Sequence, residues 1–86
     1  MWWHVYVLKS KVDGENYVGM TNDLAHRIKL HNSGKVFATQ ERYPFALIYV
    51  ESYRNRNDAA SREQFPKSGW GKNYIRRVLK NWYKKL

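Results

Sequence analysis

The stretch WHVYVLKSKVDGENYVGM, residues 3–20, decides the fold because it carries the pattern of a β-hairpin. Residues 3–8 alternate loosely between apolar and polar side chains and are rich in aromatic and β-branched types, which predicts a strand. Asp13-Gly14 predicts a turn. Residues 16–20 then predict a second strand, which pairs back antiparallel to the first across a loop of several residues.

The segment after the hairpin predicts a short amphipathic helix and then a third strand. Residues 21–23 are good helix-starting residues, apolar positions follow from Leu24 at helical spacing, and Ser33-Gly34 ends the run. Residues 35–45 show no clear periodicity. Residues 46–50 form a compact apolar run of strand length, which we interpret as a buried strand.

The last third of the chain predicts two helices. Asn57 or Asp58 can cap a helix through Phe65, where Pro66 removes a backbone donor and disfavours continuation. Residues 72–86 predict a final helix with one apolar face and a basic opposite face. The resulting order is β-β-α-β-α-α. We therefore expect an α+β fold, with a small three-stranded antiparallel sheet flanked by helices, in one domain over residues 1–86.

Composition narrows the classes of function. The chain has no cysteine, which excludes a disulfide, a thiolate nucleophile and a cysteine-ligated zinc. Neither a secretory signal nor an apolar run of membrane-spanning length is visible, so we expect a cytoplasmic protein without a membrane partner.

The charge is strongly basic and unevenly distributed. The net charge is +9, and +7 of it lies in the last 23 residues, since no acid follows Glu63. Such a surplus favours polyanionic partners, above all nucleic acid. A solvated face that keeps the protein soluble and a phosphate-contacting surface explain the final helix equally well. In the second case the binding residues are Lys72, Arg76, Arg77, Lys80 and Lys84.

Five residues could carry chemistry, although each has a common structural explanation. Tyr6 and Tyr17 lie on the two hairpin strands, where pairing could bring their rings together, and alone they are more often a core aromatic pair. Arg27 and His31 lie four residues apart on one helix face, so they can converge on one point. Glu63 offers a hard oxygen ligand for a divalent cation just before the basic end of the chain.

The ordered set of these residues resembles the GIY-YIG nuclease family. His4-Val5-Tyr6 stands where that family has its first triplet and Tyr17-Val18-Gly19 where it has the second. Arg27, His31 and Glu63 follow in the order of the family. The likeness extends over most of the chain and is greatest to the small single-domain branch that is related to the excision-repair nuclease module. Two aromatic triplets are common, but the whole ordered set is fairly specific.

The resemblance implies a metal-dependent endonuclease. Its cofactor is one divalent cation, Mg²⁺ or Mn²⁺, held by Glu63. A hairpin tyrosine, Tyr6 or Tyr17, would position or deprotonate water, Arg27 would offset phosphate charge, and His31 would assist by hydrogen bonding or proton transfer. Because an unperturbed tyrosine has a pKa near 10, a neighbouring cation (Arg27, His31 or the metal) would be needed to ionise it.

The substrate and the partners are less defined. The resemblance favours DNA, in a DNA-repair setting, over RNA, and it allows a protein partner that supplies specificity. The alternative is a non-catalytic nucleic-acid-binding module that uses the basic final helix. Three positions differ from the family pattern: His4 replaces a glycine, Met20 stands where some relatives have lysine, and Pro66 falls where relatives continue the helix with an aliphatic residue.

Overall fold

The computed structural model describes residues 1–67 and 70–85, with side-chain surroundings for residues 1–65 and 73–85. Its strands are β1 (Trp3–Ser10), β2 (Asn16–Thr21) and β3 (Phe45–Tyr53). Its helices are α1 (Leu24–Asn32), α2 (Arg56–Lys67), α3 (Trp70–Val78) and α4 (Lys80–Tyr83), with a one-turn 3-10 helix at Phe37–Thr39. The predicted α+β class and the order β-β-α-β-α-α are confirmed.

The three strands form one antiparallel sheet in the order β2-β1-β3. The hairpin strand β1 is therefore central, and Tyr6 lies opposite Gly19 on one side and Val50 on the other. The prediction of a buried third strand is wrong, because β3 is an edge strand and most of its residues are half-buried, with Leu47 exposed. A compact apolar run does not distinguish a central strand from an edge strand that is covered on one side.

Side chains alternate along a strand and therefore point to both faces of the sheet. Both faces are buried, because each is covered by helices. The face that we call the α1 face holds Tyr6, Leu8 and Phe45, packed with Tyr17, Val50 and two apolar residues of α1, Leu24 and Ile28. The opposite face, the α2–α3 face, holds Val5, Val7 and Val18, packed with Ala59 of α2 and Ile75 of α3. The two faces therefore have separate cores.

Helix α1 has the boundaries that its sequence predicts. The side chain of Asp23 accepts a hydrogen bond from the backbone N–H of His26, which caps the first turn. Gly34 has φ +72°, and the backbone N–H groups of Gly34 and Lys35 bond to carbonyls of the last turn. Asn32 then joins the end of α1 to the start of β3, since its side chain accepts from Phe45 N at 2.6 Å.

Helix α2 begins earlier and ends later than predicted. Neither Asn57 nor Asp58 is the cap, because the side chain of Asn55 accepts from Asn57 N at 2.8 Å and the helix starts at Arg56. The helix continues past Phe65 to Lys67. Pro66 lies in the last turn, where the missing N–H removes a single bond from the ladder, so the helix tolerates it there.

The single final helix predicted over residues 72–86 is wrong: the described part consists of two helices. Leu79 separates α3 from α4 with φ −104° and ψ 28°, which lie outside the helical region. This break lets Leu79 and Tyr83 both pack against the core of the α2–α3 face. Leu86 lies outside the described residues. Among the helices of the described ranges, none has the length and apolar character needed to cross a bilayer.

Candidate active site

Tyr6 occupies the centre of the candidate site. It lies on the central strand, points to the α1 face and is 1% exposed. Its ring lies across Gly19 of the neighbouring strand, where the Cβ of any larger residue would overlap the Tyr6 hydroxyl. The glycine of the second triplet therefore makes room for the tyrosine of the first.

His31 is fully buried beneath Tyr6. Its Nε2 lies 2.9 Å from the Tyr6 Oη, and its Nδ1 lies 2.8 Å from the Oγ1 of Thr39. The Thr39 hydroxyl donates to the carbonyl of Val36 at 3.5 Å. The tautomer protonated at Nδ1 fits this bond, since the Thr39 hydroxyl then accepts from His31 Nδ1–H and Nε2 accepts from the Tyr6 hydroxyl.

The imidazole of His31 is neutral at neutral pH. Burial lowers its pKa to about 4, and the charge of Arg27 acts in the same direction. Of the three cations named as sources of a field for the tyrosine (Arg27, His31 or the metal), the neutral His31 supplies none at this pH. The neutral ring has one nitrogen lone pair that can accept a hydrogen bond.

The pKa of Tyr6 is raised above its ordinary value. Burial raises this pKa most, and the charges of Tyr17 and Glu63 add to the effect. The guanidinium of Arg27 lies close enough to lower it through hydrogen bonding and charge, but burial prevails. Tyr6 is thus a hydroxyl at rest, and Arg27 is placed to stabilise its ionised form.

Tyr17 and Glu63 approach the Tyr6 hydroxyl from different elements. Tyr17 lies on β2 diagonally across from Tyr6, and its ring centroid is 5.1 Å from that of His31. Glu63 is half-buried on α2, which packs against β1 and β2, and its charge reaches Tyr6. The fold thus brings all five sequence-predicted residues to the neighbourhood of one phenol.

The sequence that forms this site matches a known protein family. The family model described as the GIY-YIG catalytic domain matches residues 2–76. The chain belongs to the GIY-YIG family. This nuclease family implies a nucleic-acid substrate, and the resemblance inferred from the triplets is confirmed.

Individual relatives agree with the family. A UPF0213 protein of Clostridium perfringens is 45% identical over 65 residues, which cover 74% of this chain and 69% of the relative. A UPF0213 protein of Streptococcus pneumoniae is 39% identical over 61 residues, which cover 70% and 61%. The solution NMR structure of a UPF0213 protein from Bacillus halodurans matches with a TM-score of 0.50 and 38% identity, over 79% of this chain and 72% of that one. The chain thus spans only about two thirds of the length of these relatives.

The sequence of this GIY-YIG chain did not reveal the roles of two residues at the candidate site, Thr39 and Gly19. Thr39 lies in the segment 35–45, which shows no periodicity, and nothing in the sequence marks it as the partner of His31. Gly19 belongs to the second triplet, and its place opposite Tyr6 follows from hairpin register, which the sequence did not determine. Both act through packing or hydrogen bonds that form only in the folded chain.

The basic residues of the final segment lie away from Tyr6. Arg76, Arg77, Lys80 and Lys84 are exposed on α3 and α4 or directly after them. These helices pack against the α2–α3 face of the sheet, whereas Tyr6 points to the α1 face. The side chain of Lys72 lies outside the described residues. The basic helices and the Tyr6 ring therefore lie on opposite sides of the sheet.

Proposed function

We propose that this GIY-YIG protein is a metal-dependent endonuclease that hydrolyses phosphodiester bonds in DNA. The observation that carries the proposal is the setting of the Tyr6 hydroxyl, which lies 2.9 Å from the Nε2 of His31 and whose pKa responds to the guanidinium of Arg27 and to the charge of Glu63. Phosphodiester hydrolysis is accelerated by a general base that takes a proton from water and by cations that offset the charge on the phosphate. A carboxylate can hold a metal cation at the same place.

Tyr6 acts as the base through a short proton relay. As water attacks phosphorus, the water proton passes to the Tyr6 oxygen while the Tyr6 hydroxyl proton passes to His31 Nε2. The new P–O bond forms as the bond to the leaving oxygen breaks, and that oxygen is protonated from solvent. The neutral ring of His31 leaves the Nε2 lone pair free for this transfer, and because its lowered pKa makes it a weak base, it returns the proton to Tyr6 as the site resets.

Arg27 stabilises charge at two stages. Its guanidinium favours the ionised form of Tyr6 against the effect of burial. The same cation faces the site where the phosphate gains charge in the transition state, where a fixed positive group accelerates the reaction most. Tyr17, beside the His31 ring, orients the attacking water or the phosphate through its hydroxyl.

Glu63 fits the role of the metal-binding carboxylate. Its oxygens are hard ligands, and among the residues that the structure describes no group of three histidine or acidic side chains competes for a cation. Mg²⁺ commonly takes one or two carboxylates and completes its shell with water and substrate phosphate. When bound, Mg²⁺ or Mn²⁺ supplies charge neutralisation at the phosphate and makes water more acidic.

Substitution of Glu63 separates catalysis from binding. The purified protein and Glu63→Gln are incubated with branched, nicked and linear DNA, and with RNA of matched sequence, in Mg²⁺ or Mn²⁺. We expect wild-type cleavage of at least one DNA that stops in EDTA, and a loss of two or more orders of magnitude in Glu63→Gln. Tyr17→Phe is expected to fold normally and lose cleavage.

The outcomes distinguish the proposal from its alternative. Equal cleavage by Glu63→Gln would remove Glu63 from the metal site. Binding of DNA by the wild-type protein without cleavage in either metal would favour the non-catalytic module that binds through α3 and α4. Cleavage of RNA alone would correct the substrate and leave the chemistry in place.

A further inference from the structure

The α1 face continues along β1 beyond Tyr6 toward the start of the strand. Side chains alternate along β1, so His4 lies on the same face as Tyr6, and Trp2, which directly precedes the strand, continues the alternation and contacts Arg54 just after β3. Four residues at about 3.3 Å each place Trp2 about 13 Å from Tyr6 along the strand. That is the length of roughly four stacked nucleotides at about 3.4 Å each.

Trp2 is available for contact with a ligand. It is 49% exposed, and the guanidinium of Arg54, which follows β3, lies 5.3 Å from its ring. Its neighbour Trp3 instead packs against the core of the α2–α3 face, and the guanidinium of Arg56 lies over the Trp3 ring. Trp3 therefore contributes to the core. The exposed part of the Trp2 side chain makes no contribution to core packing.

A polar pair connects Trp2 to the candidate active site. His4 and Ser52 are register partners on β1 and β3, and the Nδ1 of His4 lies 2.6 Å from the Oγ of Ser52. This pair lies between Tyr6 and Trp2 on the same face. The strip that consists of Tyr6, His4, Ser52, Trp2 and Arg54 therefore carries hydrogen-bonding groups, one aromatic ring and one cation.

Arg54 adds a cation at the far end of this strip. The exposed basic residues of α3 and α4 belong to helices that pack against the opposite face of the sheet. Arg54 is exposed at the end of the strip. A guanidinium held against an indole keeps its donors free for phosphate, and an aromatic ring beside it accepts a base by stacking.

We propose that Trp2 and Arg54 form a subsite for an unpaired DNA strand next to the cleaved bond, in which Trp2 stacks on a base and Arg54 binds a phosphate. The inference extends the proposed function, because it specifies which part of the substrate the α1 face holds. It implies a preference for substrates with a single-stranded segment two to four nucleotides from the cut.

Binding measured without cleavage tests the subsite. Fluorescence anisotropy in EDTA follows a labelled single-stranded oligonucleotide, the same oligonucleotide with abasic positions, and a blunt duplex. We expect Trp2→Ala to weaken single-strand binding about tenfold, since stacking contributes roughly 1–3 kcal/mol per base. Binding of the abasic strand and of the duplex is expected to change by less than twofold.

Two controls keep the test specific. Phe37→Ala removes another aromatic side chain, which is 87% exposed and lies outside the strip, and it is expected to leave all three affinities unchanged. Arg54→Gln is expected to lower the salt dependence of single-strand binding by about one counterion. Arg54→Lys is expected to restore that salt dependence.

The results separate this inference from the proposed function. An equal loss for the abasic and the normal strand in Trp2→Ala, or an equal loss in Phe37→Ala, would overturn the stacking subsite. Wild-type cleavage with unchanged Trp2→Ala binding would overturn it while the nuclease assignment stands. Stacking-dependent binding without cleavage in Mg²⁺ would support the subsite and contradict the nuclease assignment.

Discussion

Thr39 controls the direction of the hydrogen bonds around His31. In the tautomer protonated at Nδ1, its buried hydroxyl accepts from Nδ1, which lies 2.8 Å away, and Nε2 faces Tyr6 as an acceptor. A fixed tautomer matters because the proposed relay needs a lone pair at Nε2. Thr39 is thus a positioning residue that acts through His31.

Thr39→Val removes that hydroxyl and keeps the shape of the side chain. Loss of one buried hydrogen bond costs about 1 kcal/mol of stability. We expect single-turnover cleavage to fall about tenfold and the acidic limb of its pH profile to move, because His31 Nδ1 loses its partner. Thr39→Ser is expected to recover both the rate and the profile. Equal rates for the valine and serine variants would contradict the positioning role.

His31 also makes stability depend on pH. The folded pKa is about 4 and the ordinary value is 6.5, so between these values the unfolded chain binds a proton that the folded protein does not. Stability is therefore greatest above pH 6.5 and falls as the pH drops toward 4, by on the order of 2 kcal/mol between pH 7 and pH 5. Urea unfolding at pH 7, 6 and 5 measures this slope, and His31→Gln is expected to flatten it. An identical slope in both proteins would exclude His31 as its source.

At the scale of elements, the orientation of α2 depends on a clamp to β3. Glu51 of β3 accepts from the Nε and Nη2 of Arg62 at 2.7 and 2.9 Å, and from the hydroxyls of Tyr49 and Tyr53. Burial opposes ionisation of Glu51, but these donors, Arg62 foremost, hold its pKa at about 2. Arg62 precedes Glu63 directly, so the clamp fixes the helix rotation that aims Glu63.

Glu51→Gln is expected to destabilise the fold by about 2 kcal/mol, because it leaves Arg62 half-buried without its charge partner. Chemical denaturation measures the change. The double variant Glu51→Gln with Arg62→Met removes both charges and is expected to regain part of the stability while cleavage stays low, since Glu63 loses its clamp. Wild-type cleavage in the double variant would show that α2 holds its orientation without the pair.

At the scale of the whole molecule, the sequence predicted the features that depend on local residue patterns. It did not predict the features that depend on how the helices and strands pack together. The hairpin and the limits of α1 followed from alternation, turn residues and caps. The edge position of β3 and the break at Leu79 did not, because strand order and the packing of Leu79 against the distant core are set by tertiary contacts. The five candidate residues came from an ordered resemblance, whereas their convergence on Tyr6 required the fold.

The two sides of the sheet have different roles in this molecule. The α1 face carries the Tyr6 relay and the strip to Trp2, and the α2–α3 face carries the clamp and the basic helices. Helix α2 packs on the α2–α3 face, yet the charge of its residue Glu63 raises the pKa of Tyr6, which lies on the α1 face.

The rate of DNA cleavage by Tyr6→Phe tests the proposed mechanism most directly. It is measured in Mg²⁺ with enzyme in excess, after thermal unfolding has shown that the variant folds. The substitution keeps the ring over Gly19 and deletes only the hydroxyl that faces His31 and Arg27. We expect the rate to fall by about 10² to 10⁴, the contribution of a general base. A folded Tyr6→Phe protein that cuts at the wild-type rate would contradict the central role of this phenol.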